Sequence, residues 1–334
     1  CALPISTYYC AIQRSHFFRA VDVLTDIVFH SQYPQAEVEK EREVVCDEIE
    51  SYEDSPSELI YDDIENVLFR GHPLGHNVLG AKEQVRGYGS VDALRFARRY
   101  YRPANCVFFA SGDIDFRRLV RTLESCDSTE DYAASACEPP AAAAQSVASD
   151  TPGSEITRQR NTHQTHVIMG TRAYSADDPR RWALYLMNNI LGGPGLNSRL
   201  NLSLRERHGL VYTVDSSMVA YSDAGLWTVY FGCDPDYTRR CQRLVHRELD
   251  RLMHHQLSAA QLRSAQRQLQ GQLAISCDSR EQFALDFAKN YLHTGKKRDL
   301  TDIMLNISTL TPADIQNVAQ ELFRPDNITT LIYK

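Results

Sequence analysis

The chain of 334 residues has no apolar run long enough to span a bilayer, so the sequence predicts no membrane helix. It also has no excess of positive charge. The net charge of −7 argues against a surface built for nucleic acid or anionic lipid. The nine cysteines are an odd number without Cys-x-x-Cys spacing, which favours reduced thiols over a disulfide framework. We therefore expect a protein of the cytoplasm.

The amino-acid composition is typical of a globular protein, and the length is sufficient for two domains. Apolar residues make up 43% and charged residues 24% of the chain. Residues 131–157 are rich in Ala, Ser and Pro and show no periodicity, which predicts a linker. This divides the chain into an N-terminal domain, residues 1–130, and a C-terminal domain, residues 158–334.

The two domains resemble each other in sequence. Asp92–Asn105 aligns with Asp314–Asn327 at a spacing of 222 residues, and both segments read as a helix ending in Arg-Pro-x-Asn. A β-rich run follows in each copy, at 106–111 and at 328–333. A repeat this long indicates a duplicated domain. We predict an α+β fold of two homologous domains, each a mostly antiparallel sheet with helices packed on one face.

The first copy lacks a counterpart for part of the second. At the same spacing Thr7–Cys10 aligns with Val229–Gly232, so roughly 70 residues before residue 229 have no equivalent before residue 7. The pattern there predicts strand 163–174, helix 179–191, helix 197–207 and strand 210–220. We therefore expect the chain to be a fragment whose first domain lacks an equivalent strand–helix–helix–strand block.

One helix of the first copy carries two carboxylates beside its apolar stripe. Residues 35–52 contain neither Pro nor Gly after Gln35 and have helical periodicity. The stripe consists of Val38, Val45, Ile49 and Tyr52. Glu41 and Glu48 fall between this stripe and Val44, so the pattern predicts that both are buried. Buried glutamates are rare unless they are paired or bind a metal.

The second copy keeps this helix without its acids. At a spacing of 224 residues, Ala265 stands opposite Glu41 and Gln272 opposite Glu48. The fold therefore does not need the two carboxylates, which favours a chemical role for them over a purely structural one.

Several motifs together resemble the pitrilysin/insulinase family of zinc metallopeptidases, which includes many bacterial peptidases. The resemblance covers nearly the whole chain. It rests on Glu39–Ile49, His72-Pro-Leu-Gly75, Tyr101–Asn105, Asn189–Gly193 and Leu204–Tyr212.

The resemblance implies a zinc site to which this chain contributes one ligand. In the family, zinc is held by two histidines of a His-x-x-Glu-His motif and by a later glutamate, which matches Glu48. Glu41 matches the second acid of the family, seven residues before that ligand. No His-x-x-Glu-His occurs in the 334 residues. We therefore expect Zn²⁺ in the intact protein and an inactive fragment.

The resemblance also implies substrate contacts in the second copy. Arg205 and Tyr212 match a family pair that binds the peptide carbonyl and stabilises the oxyanion. Family members bind extended peptides at a sheet edge. The simpler alternatives are an incidental helix carboxylate for Glu48, an arginine partner for Glu41, a surface Arg205 and a core Tyr212.

The leading functional hypothesis is a zinc metalloendopeptidase that hydrolyses peptides or unfolded segments. The alternative is a non-catalytic homologue that acts as the partner subunit of an active peptidase. Either hypothesis allows a homodimer or a paired homologous subunit. We expect a peptide substrate and no nucleic-acid or membrane partner.

Overall fold

The structure is a computed structural model that describes residues 5–126, 153–160, 162–297 and 299–334. The helices are α1 (Phe17–Phe29), α2 (Gln35–Glu53), α3 (Pro56–Leu68), α4 (Lys82–Gly87), α5 (Ser90–Tyr100), α6 (Phe116–Cys126), α7 (Arg181–Gly192), α8 (Thr238–His254), α9 (Ala259–Asp278), α10 (Arg280–Thr294), α11 (Leu300–Ser308) and α12 (Pro312–Leu322). The strands are β1 (Glu155–Arg158), β2 (Thr165–Ala173), β3 (Val211–Ala220), β4 (Gly225–Cys233) and β5 (Thr329–Tyr333). A π-helical segment, Asn201–Glu206, precedes β3. Among these helices, none combines the length and apolarity that crossing a bilayer requires.

The strands of the C-terminal half form one sheet with the order β1-β5-β2-β4-β3. β2 pairs antiparallel with β4 and with β5, and β3 pairs antiparallel with β4. The short β1 runs parallel to β5. The first sheet residues, 155–157, belong to the segment predicted as linker, and residues 131–152 of that segment lie outside the described residues.

The two faces of this sheet pack against different parts of the chain. Side chains alternate across a strand, so Trp227, Val229 and Phe231 of β4 face one side while Leu226 and Tyr230 face the other. The first side forms the main core with α7, α8, α9 and α12. The prediction that each sheet carries helices on one face is thus confirmed for the C-terminal copy and its own helices.

The second face of the sheet is covered by α3 of the N-terminal half. Ile60 and Ile64 of α3 are fully buried in a cluster with Ile168 and Leu331 of the sheet. Burial of branched aliphatic side chains of this kind stabilises each by roughly 1.5–3 kcal/mol. The two halves therefore share a hydrophobic core.

The duplication is visible in the helix boundaries. α5 and α12 coincide residue for residue at the spacing of 222. At the spacing of 224, α3 corresponds to α10. The correspondence extends to packing: α10 contacts the N-terminal half, where the ring of Phe109 lies 5.1 Å from that of Phe287 and 6.3 Å from that of Phe283. The equivalent helices α3 and α10 thus each contact the other copy.

The predicted strands of the first copy are absent from the described residues. Residues 7–10 and 106–111 correspond to β4 and β5 but take part in no β-ladder. In the C-terminal sheet β4 and β5 are not neighbours, because β2 lies between them and bonds to both. No segment of the described N-terminal half is equivalent to β2. Without that bridging strand, the backbone groups of 7–10 and 106–111 have no ladder partner.

Candidate functional site

The two carboxylates of α2 lie at the surface of the described structure. Glu41 and Glu48 are both exposed, so the prediction that they are buried is wrong. The buried residues of α2 are Cys46 and Ile49, whereas Val44 is 49% exposed. The apolar stripe was therefore located correctly, but its buried side is the one toward Cys46. The glutamates lie on the opposite flank.

The equivalent helix α9 explains this exposure. Ala265 and Gln272, the counterparts of Glu41 and Glu48, are buried and half-buried respectively. Ala265 belongs to the core cluster that α9 shares with α7. At the repeat spacing of 222 residues, the positions equivalent to α7 would fall before residue 1, so the described N-terminal half has no counterpart of α7. The glutamate face of α2 therefore meets none of the described elements, while α2 packs on α3 and α4 through its other side.

The described residues do not form a metal site by themselves. No group of three His, Cys, Asp or Glu side chains within the described ranges could hold a metal ion. Glu48 has a free, accessible carboxylate, which suits a ligand, but the described residues bring no second ligand to it. The zinc site implied by the resemblance therefore does not fit these residues alone.

Arg205 lies where the chain turns from a helix into the edge strand. Its segment, Asn201–Glu206, is π-helical, a conformation that is frequent at functional sites. Gly209 ends this segment with φ of +59°, and its N–H donates to the Arg205 carbonyl at 2.9 Å. This left-handed turn brings the first residues of β3 back toward Arg205.

Tyr212 is the second residue of β3, and the structure brings it to Arg205. The Arg205 guanidinium carbon lies 6.0 Å from the centre of the Tyr212 ring. Tyr212 is 83% exposed, so the alternative of a core tyrosine is wrong. The ladder with β4 shifts register between Val211 and Val214, and β3 is the last strand at this edge of the sheet. A bulged edge strand leaves some of its backbone groups without ladder partners, and the side chains of Arg205 and Tyr212 are both exposed beside it.

A set of hydrogen-bonded polar side chains lies beside this edge and was not predicted from the sequence. The Tyr61 hydroxyl of α3 donates to Asp215 of β3 at 3.2 Å, and the rings of Tyr61 and Tyr230 lie 5.3 Å apart. The Tyr230 hydroxyl is 2.8 Å from His166 Nδ1. Burial raises the pKa of Asp215 and raises that of Tyr230 to about 12. No local pattern predicts these contacts, because Tyr61 and Asp215 are 154 residues apart.

Two sequence models match consecutive parts of the chain. One, described as the peptidase M16 inactive domain, matches residues 91–269, and the other, described as insulinase (peptidase family M16), matches residues 5–82. The first match alone covers more than half of the chain. The chain belongs to the insulinase family, peptidase family M16. The helix with Glu41 and Glu48 lies in the insulinase match, and Arg205 and Tyr212 lie in the inactive-domain match.

Individual relatives support the same membership. An uncharacterized zinc protease of Streptomyces coelicolor is 30% identical over 325 residues, which are 96% of this chain and 70% of the relative. A probable mitochondrial-processing peptidase subunit beta of Schizosaccharomyces pombe is 27% identical, over 95% of this chain and 70% of that protein. The crystal structure of a protease from Helicobacter pylori superposes with a TM-score of 0.86 at 19% identity, over 96% of this chain and 77% of that one. The superposition confirms the α+β fold.

Proposed function

We propose that this chain is the larger part of a zinc metalloendopeptidase that hydrolyses peptides or unfolded protein segments. A relative named as a zinc protease aligns with nearly the whole chain, and the chain spans 70% of its length. We further propose that residues 1–130 belong to the zinc-binding domain and residues 158–334 to its inactive homologue. A cytoplasmic location remains a prediction.

The observation that carries this proposal is the different use of one helix face in the two copies. In α9 this face packs toward α7, and its residues are Ala265 and Gln272. In α2 the same face holds Glu41 and Glu48, which are exposed and have no hydrogen-bond or ion-pair partner among the described residues. We infer that a helix equivalent to α7, from outside these 334 residues, covers this face and brings the other zinc ligands to Glu48. Glu41 would then lie beside the metal as the accessory acid.

The substrate contacts follow from the edge of the C-terminal sheet. An extended peptide that adds to β3 would run past Tyr212, and its carbonyl groups would lie within reach of the Tyr212 hydroxyl and the Arg205 guanidinium. Both groups donate hydrogen bonds, so they would orient the carbonyl and stabilise the negative charge that develops on its oxygen. The proposal thus assigns one metal ligand and the substrate contacts to this chain, whose 334 residues contain no His-x-x-Glu-His that could supply the histidine ligands.

The zinc content of the full-length protein tests the role of Glu48. We expect about one zinc per protein, and we expect Glu48→Gln to lose most of it because a neutral amide is a much poorer ligand than a carboxylate. Glu43→Gln is the matched control, since Glu43 is also exposed on α2 but points away from the Glu41–Glu48 face. Unchanged zinc in Glu48→Gln would remove Glu48 as a ligand.

The turnover of a quenched fluorescent peptide tests the substrate contacts. Arg205→Ala and Tyr212→Phe should each lower kcat/KM by about a hundredfold or more, the usual effect of losing one oxyanion donor, while zinc stays bound. Arg263→Ala, an exposed arginine on α9, is the control for the loss of charge. Unaltered turnover in both variants would exclude the proposed role of the pair.

A partner subunit without activity of its own is the second candidate, favoured by the relative named as a processing-peptidase subunit. Zinc content and peptidase activity, measured for the full-length protein alone and after mixing with a homologous subunit, separate the two possibilities. A zinc-free protein that gains activity only after mixing with a homologous subunit would support this candidate and contradict the first.

A further inference from the structure

A cavity of about 480 Å³ lies on the C-terminal half, outside the candidate site. It opens between the segment before β3, the C-terminal part of α8 and the beginning of α9. A volume of this size suits a small organic molecule. The charged and polar residues that line it include Arg199, Arg207, Glu248, Arg251, His255 and Gln261.

The charges of this cavity do not balance. Glu248 is almost fully buried, and its carboxylate accepts a hydrogen bond from Arg251 Nη1 at 2.8 Å. This pair uses the one carboxylate that lines the cavity. Arg199 and Arg207 have no ion-pair partner among the described residues. Two guanidinium groups of the lining therefore have no carboxylate bonded to them.

The surroundings of Arg199 disfavour the charge of its guanidinium group. Its side chain is half-buried, and burial lowers the pKa of its guanidinium, with Arg251 acting in the same direction and Glu248 against it. A desolvated cation without a hydrogen-bonded counter-charge is unfavourable. The N-terminus of α9 opens on the same cavity through Gln261, and its dipole adds positive potential.

We propose that this cavity binds a small polyanion, a phosphate ester or a polycarboxylate, through Arg199 and Arg207. The planar guanidinium groups donate paired hydrogen bonds to oxygen atoms of phosphate or carboxylate, which Gln261 and His255 can supplement. The lining is mainly polar, with Leu202 as its apolar member, so charge rather than apolar area selects the ligand. The proposal is independent of the zinc site, because the cavity uses none of the residues assigned to that site.

Isothermal titration with pyrophosphate and with citrate tests the proposal and distinguishes the two classes of polyanion. At low ionic strength we expect saturable binding of one of them at one site per chain. Arg207→Gln and Arg199→Gln should each weaken this binding by at least about tenfold, the loss expected for one charge-assisted contact. Salt at about 1 M should weaken it further, since the Debye length then falls to about 3 Å.

Arg263→Gln is the matched control, because it removes the same charge from an exposed position of α9 that does not line the cavity. Binding equal to wild type in this control, together with the loss in Arg207→Gln, would support a defined site. The absence of saturable binding at millimolar concentration, or an equal loss in the control, would overturn the proposal. Because Arg207 is exposed, its variant remains informative even where Arg199→Gln fails to fold.

Discussion

Replacing Ile64 by alanine tests whether α3 is a structural part of the C-terminal half. Ile64 is 0% exposed and lies in the cluster that α3 forms with the second face of the sheet. The change removes three carbon atoms, which at about 0.8 kcal/mol per buried methylene amounts to about 2.4 kcal/mol. The cavity that remains raises this figure, and large-to-small changes of this kind cost about 2–5 kcal/mol. We expect the free energy of unfolding to fall by about 3 kcal/mol.

Urea unfolding followed by tryptophan fluorescence measures this loss. Both tryptophans, Trp182 and Trp227, belong to the C-terminal half, so they report a change in the N-terminal half only through the shared core. Ile275→Ala is the matched control, because Ile275 lies on α9 and is 73% exposed. It should shift stability by about 0.5 kcal/mol or less. A decrease of the free energy of unfolding below about 1 kcal/mol in Ile64→Ala would refute the reasoning, because truncating a fully buried core side chain costs more than that.

Two further predictions concern His166 and the glycines. Burial lowers the pKa of His166, so its contribution to stability is present above the ordinary value of about 6.5 and is lost as pH falls below it. In His166→Asn the free energy of unfolding, measured by urea titration between about pH 5 and pH 8, should vary less with pH; an identical pH profile would contradict this. Gly209→Ala should cost about 1 kcal/mol in thermal unfolding, because φ is +59° although no atom lies within 4 Å of the added carbon. Gly271→Ala, in the interior of α9 with equal space, should instead stabilise by up to about 1 kcal/mol, and equal effects of the two would exclude a backbone cause.

Local periodicity was sufficient to predict the repeat and the helices that define it. α2 was predicted to within one residue at its C-terminus, and the repeat spacing reproduced the boundaries of α5 and α12. The strands and helices predicted between 163 and 220 are also present, as β2, α7, a helical turn that includes the π-helical segment, and β3. These elements are defined by side chains close together in sequence, so a window of ten to twenty residues contains the information.

Contacts between the copies could not be predicted in this way. Asp63 of α3 accepts hydrogen bonds from the Tyr333 hydroxyl and the Arg158 guanidinium, which are far away in sequence. The sequence pattern of α3 indicates an apolar face, but it does not indicate that this face packs against the C-terminal sheet. Similarly, residues 106–111 have the composition of a strand, yet a strand forms only where a neighbour supplies its hydrogen bonds.

The error over Glu41 and Glu48 has the same origin and leads to a sharper hypothesis. A helical wheel reports which side chains share a face, whereas burial depends on the element that covers that face. In α9 the covering element is α7, and the positions hold Ala265 and Gln272. If a helix equivalent to α7 covers α2, the two carboxylates become buried and must meet a positive charge or a metal, because isolated buried carboxylates are strongly unfavourable. The pattern therefore identified the face that Glu41 and Glu48 share, but only the neighbouring elements decide whether that face is buried, and in the described residues it is exposed.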